Sequence, residues 1–134
     1  AFANGKVTAS YGDATAKAHA DTLYTADDES NGLGTEGDVK VEGLKTIKIR
    51  TLKNQAAGIL QETDWYIVRK ADAGTAVPSA ITNHRAAVRT KAAEQETAIT
   101  NASDTPALET LYTYTEQEDG SVTRPLGELP RLEV

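Results

Sequence analysis

Two runs of helical periodicity, separated by a break that contains Gly74 and Pro78, constrain this chain more than any other feature. In the first, Ile49, Leu52, Ala56, Ile59, Leu60 and Thr63 recur at spacings of three and four, which places them on one helix face. Lys48, Arg50, Lys53 and Gln55 fall largely elsewhere on that helix. Residues 46–52 also alternate well enough for a strand, so the start of the helix is open. Thr63 is placed to cap a further short helical piece holding Trp65, Ile67 and Val68, with Asp64 in its first turn. The second run predicts a helix over 79–102. Its stripe is Ile81, Val88, Ala92, Ile99 and Ala102, with Arg85 and Gln95 in register. A short break between two such helices favours an antiparallel αα-hairpin.

The faces of that hairpin are thinly furnished. Of the 134 residues 39% are hydrophobic, but 21 of these are Ala, leaving 31 larger apolar side chains. A chain of this size buries about two-thirds of its unfolded surface. With so few large side chains, part of that burial is expected to come from a neighbouring subunit. Cys and Met are both absent, which excludes disulfide frameworks, thiolate metal sites and Cys nucleophiles. No run approaches the roughly 18 apolar residues of a membrane span, so no membrane partner is expected. The opening at Ala1 is what removal of an initiator Met would leave.

Net charge is −6, which argues against a dedicated nucleic-acid binder. Its distribution divides the chain into three segments. Residues 1–42 carry 3 basic and 8 acidic side chains, a net of −5. Residues 43–103 carry 9 basic and 5 acidic, a net of +4, and residues 104–134 carry 2 and 7, again −5. A basic hairpin core thus lies between two acidic arms. The arms fold back on their own centre or meet a neighbour's, where complementary potentials set register and steer assembly.

The flanking segments read as short pieces. The alternation over 6–11, after Asn4-Gly5, predicts a strand, and the Ala-rich stretch 14–24, capped by Asp13, a short helix. Residues 27–37 are an acidic, glycine-rich loop, and 38–42 alternate as a strand. Thr105 before Pro106 starts a short helix reaching about Tyr112. Residues 112–115, the Asp119-Gly120 turn and 121–123 form a β-hairpin. At the end, Leu126, Leu129 and Leu132 are three apart between Pro125 and Pro130, and a polyproline-like conformation puts all three on one face. Such a docking arm needs a groove, its own chain's or a neighbour's. The expected fold is therefore α+β: a central αα-hairpin, short strands before it, a β-hairpin after it and an extended arm.

Chemical motifs are few. Gly32-Leu33-Gly34-Thr35-Glu36-Gly37 matches GxGxxG, but Asp27, Asp28 and Glu29 precede it and would repel a pyrophosphate, and no helix follows. Asp27, Glu29, Asn31, Gly32 and Asp38 partly match a twelve-residue calcium loop. Glu29 is long for its position and Asp38 short for the usual bidentate Glu. A solvated acidic loop is the plainer reading, with calcium binding as its alternative. His19 and His84 lack the neighbours of a metal pair or an oriented base and read as surface residues. Glu94 and Glu96 point to different faces of one helix. Lys45, Lys48, Arg50 and Lys53 form a basic cluster, either a solvated face near the acidic loop or a surface for an anionic partner.

The stretch from Thr51 to Glu96 resembles a helix-TDW-loop-helix module of tailed-bacteriophage proteins, found in tail-fibre assembly chaperones and small virion-associated proteins. The residues that carry it are Thr63-Asp64-Trp65, the loop Thr75-Ala76-Val77-Pro78, and His84-Arg85 with Arg89. The match covers about a third of the chain, and residues 1–42 do not look like a fibre-assembly chaperone. The resemblance implies a non-catalytic phage protein without cofactor or metal, present in the virion on capsid or tail in multiple copies or as a homo-oligomer. Its partners would be phage structural proteins. The alternative it implies is a tail-fibre assembly chaperone. Within this reading Trp65 closes the gap between the two helices, and its truncation should cost about 3–5 kcal/mol. Asp64 accepts hydrogen bonds from free backbone N–H groups or pairs with Arg85 or Arg89.

Overall fold

The computed structural model describes residues 17–133 and, before them, the two-residue strands β1 (Phe2–Ala3) and β2 (Lys6–Val7). The helix expected over 14–24 is not formed where it can be seen. Thr22–Leu23 is instead strand β3, paired antiparallel with β4 (Val39–Val41), Leu23 opposite Val39. Alanine-rich composition favours a helix locally, but cross-strand pairing decides the outcome here. The first part of that stretch, and most of the strand expected over 6–11, lie outside the described residues. Between β3 and β4, what reads as loop contains a short helix, α1 (Ala26–Ser30), opened by a capping box. Thr25 Oγ1 accepts from Asp28 N at 3.2 Å, and Asp28 Oδ2 accepts from Thr25 N at 2.9 Å.

The centre is α2 (Leu44–Gln61), α3 (Asp64–Ala73) and α4 (Ser79–Asn101). Helices α2 and α4 form the expected antiparallel hairpin. Lys45 Nζ at one end of α2 donates to Thr100 O at 2.8 Å, while Leu60 O at the other accepts from Arg85 at 2.7 Å. The in-register reading of α4 holds: Ile81, Arg85, Val88, Gln95 and Ile99 are buried, and Val88 and Ile99 are fully so. The link is longer than a loop, because α3 fills most of it. Gly74 ends α3 at φ 73°, a left-handed position that glycine reaches without strain. Helix α5 (Thr105–Tyr112) is capped by Asp104, one residue earlier than expected, whose carboxylate accepts from Ala107 N at 2.8 Å. Strands β5 (Thr115–Glu116) and β6 (Val122–Thr123) make the expected hairpin.

The fold is thus mixed α+β, a helical hairpin flanked by small two-stranded antiparallel ladders. Its core draws on distant parts of the chain: Leu52 of α2, Ile99 and Ala102 at the end of α4, Leu108 of α5 and Leu126 of the arm. The segment before α2 is tied in as well. Helix α2 starts with no local side-chain cap, and its first N–H groups are met from 22 to 26 residues upstream. Leu44 N and Lys45 N donate to Ala18 O and His19 O at 2.9 and 3.0 Å. Gly43 N and Thr46 Oγ1 both donate to Asp21 Oδ1, at 2.7 and 2.6 Å. These two donors hold the Asp21 carboxyl below its ordinary pKa. A Cβ on Gly43 would lie 2.3 Å from the backbone of Ala20, so only glycine admits this crossing.

Candidate docking surfaces

Arg85 organises the junction of the hairpin. It is 8% exposed, and its Nη1 lies 2.7 Å from Leu60 O, 2.8 Å from Thr63 Oγ1 and 2.9 Å from Asp64 Oδ1. The guanidinium therefore satisfies a carbonyl at the C-terminal end of α2, where the helix dipole favours a cation. It also pairs with the first-turn carboxylate of α3. Thr63 is buried here and precedes α3, but its hydroxyl donates to Leu60 O at 3.1 Å rather than capping α3. Of the partners expected for Asp64, the structure selects Arg85.

Trp65 does not close the gap between α2 and α4. It is 51% exposed, on a helix with no buried residue. Its ring stacks on Tyr66 with centroids 3.7 Å apart, and the Arg69 guanidinium sits 4.9 Å above it. The anchor is Arg85 with Thr63 and Asp64, while Trp65 faces outward beside the exposed Ile67 and Val68. A second exposed apolar set lies on the β3–β4 ladder, at Leu23, Val39 and Val41.

The C-terminal arm is seated on its own chain. Leu126 is 4% exposed and belongs to the core, and Leu129 packs against that core. Leu132 is half-buried. The backbone of the arm is also claimed: Leu126 N donates to Leu111 O at 3.1 Å, and the buried Gln95 amide donates to Leu126 O and Gly127 O at 3.3 and 3.0 Å. The polyproline-like conformation expected for the arm is not formed at its start, because Gly127 sits at φ 74° and its N–H closes a turn onto Arg124 O at 3.0 Å; Leu126 and Leu129 still reach the core of the same molecule. Arg124 braces the arm, lying 5.2 Å from both the Tyr112 and Tyr114 rings and pairing with Glu128. The Tyr114 hydroxyl donates to Glu128, which raises its pKa, and burial raises that of Tyr112. Between arm and α2 runs an open groove of about 1160 Å³, lined by Gly58, Ile59, Leu129 and Leu132 among others.

The basic cluster is divided among internal partners. Lys45 binds Thr100 O, Lys48 lies 4.7 Å from the Tyr112 ring, Arg50 pairs with Glu42, and Lys53 pairs with Glu96 at 3.1 Å. Each of the four cations thus has a different partner within the chain, and Arg50 and Lys53 keep more than half of their side-chain surface exposed. The positions of the calcium-loop alternative are engaged within the chain as well. Asp27 and Glu29 sit within helix α1, Asp28 is taken by Thr25 and Lys40, and Glu29 accepts from Glu36 N at 3.0 Å. Hydrogen bonds from the Thr25 backbone and from Lys40 hold the Asp28 carboxyl down to about 2. Among the described residues no three His, Asp or Glu side chains gather at metal-binding spacing.

His84, read as a surface residue, is buried, and its Nε2 has no hydrogen-bond partner among the described residues. The signal was present in the sequence: His84 lies three after Ile81 and four before Val88, within the buried stripe. His19 is half-buried and contributes its backbone carbonyl to the start of α2. Asp21 gave no comparable signal, because its partners lie more than twenty residues away. Compared with family models, with curated proteins and with solved structures, the chain matches none.

Proposed function

We propose that the protein is a non-catalytic structural or accessory component of a tailed-bacteriophage virion, present in multiple copies on capsid or tail. The observation that carries this reading is surface. The chain exposes 9724 Å², where a compact monomer of 14.3 kDa exposes about 6,800 Å². Counting residues 1–16 at the full surface of an unfolded chain, about 2,200 Å², leaves about 7,500 Å² for the rest, where compact packing gives about 6,300 Å². A surplus near 1,200 Å² exceeds the roughly 800 Å² that each partner of a standard interface covers. It supports a protein completed by neighbours.

The phage assignment draws on the resemblance, whose central residues Asp64 and Arg85 form the ion pair of the junction. Docking falls to the exposed apolar sets on α3 and the β3–β4 ladder, since the arm is occupied internally. Partners are other virion proteins; the acidic balance speaks against nucleic acid, and no described helix is long and apolar enough to cross a membrane. No cofactor is required for such a role. Quantitative mass spectrometry of purified particles tests it. Many copies per particle support the assignment. Absence from particles, with the protein abundant in the infected cell, would replace it with the assembly-chaperone role.

A further inference from the structure

One face of the hairpin remains open, the one bearing a shallow apolar trough of about 310 Å³ between α2 and α4. Its two walls repeat one pattern. Beside the buried Leu52, the lining positions on α2 are Lys53, Ala56, Ala57 and Leu60, and on α4 they are Arg89, Ala92, Ala93 and Glu96. Both sets follow the spacing i, i+3, i+4, i+7, with two alanines in the middle and a longer side chain at each end. The walls are level with each other, because Lys53 and Glu96 pair at 3.1 Å across one end. Arg89 stands at the other end without an ion pair among the described residues.

We infer that this trough binds a second copy of the same chain, face to face, as an antiparallel four-helix arrangement. A two-fold axis crossing the helices at the alanine level maps each end of the trough onto the other. Arg89 then meets Glu96 of the second copy, and the reverse contact forms at the far end. The Leu60 side chain meets the aliphatic stem of Lys53. Self-complementarity of this kind is what an isologous interface requires. The four central alanines per copy let the helix axes approach to the short end of the usual 8–10 Å range. The inference goes beyond the docking reading, on a face that reading does not use, and it depends only on the isolated protein's mass, whereas that reading depends on particle content.

Sedimentation equilibrium of the full chain between about 1 and 100 μM should show a dimer. Arg89→Glu alone and Glu96→Arg alone should each weaken it at least tenfold, by placing like charges across the axis. An equimolar mixture of these two variants should recover the dimer, seen as the heterodimer in native mass spectrometry. A merely intramolecular role for Arg89 gives no such recovery. Ala57→Glu, at a position exposed in the single chain, should abolish the dimer while leaving helix content by circular dichroism unchanged, and it decides the matter if a charge variant fails to fold. A wild-type chain that stays monomeric to 100 μM overturns the inference, as does a dimer indifferent to Ala57→Glu.

Discussion

Arg85 serves three oxygens from one nitrogen, so its loss should outweigh that of any aromatic nearby. Arg85→Ala removes the donor to the buried Thr63 hydroxyl, the charged donor to Leu60 O and the partner of Asp64, and should lower stability by about 2–4 kcal/mol, measured by urea denaturation. Arg85→Lys should recover only part of this, since an ammonium cannot reproduce the planar fork. Trp65→Ala should cost under about 1.5 kcal/mol, in line with a half-exposed ring that loses stacking and a cation contact rather than core burial. The contrast shows what the chain disclosed of its junction. The Arg85 position was legible because it falls in phase with Ile81 and Val88. The role of Trp65 was not, because hydrophobic size says nothing of which way a connecting helix turns. His84 lay in the same legible phase, yet a polar side chain on an apolar stripe invites assignment to the surface.

Among the elements, α2 shows where local reasoning ends. Its apolar face could be read from spacing alone, but its beginning could not, because the groups that cap it come from 18–21. Asp21 and Asp28 give this region a defined acid response. Both carboxyls lie below their ordinary pKa in the folded chain, so their contribution is complete above the unfolded value near 3.8. It falls away as pH drops through the folded value, about 2 for Asp28. The backbone amides of Gly43 and Thr25, which donate to these carboxylates, should shift in NMR spectra over this range with midpoints below 3.8. Asp21→Asn should remove the Gly43 titration and leave that of Thr25 intact. Coincident loss of both would show that the two carboxylates belong to one cooperative unit. The β3–β4 ladder illustrates the same limit: Thr22–Leu23, at the end of a run that promises helix, pairs with a strand that local composition cannot foresee.

For the molecule as a whole, charge divided the chain into three segments, but the core ignores that division. Leu52 and Ile99 come from the basic centre, Leu108 and Leu126 from the acidic C-terminal part. Leu126→Ala should therefore cost about 2–4 kcal/mol in denaturant titration, as cavity formation at a core leucine does. Removing the arm from Arg124 onward should lower the melting temperature of the helices themselves, not only weaken docking. Gln95 would then keep a buried amide whose acceptors are gone. A melting temperature unchanged by that deletion would show the arm to be an appendage. The seat of Leu126 in the core has a consequence during synthesis. Until that residue has left the ribosome, the hairpin has an empty place in its interior, so its helices cannot reach their finished packing before the arm emerges.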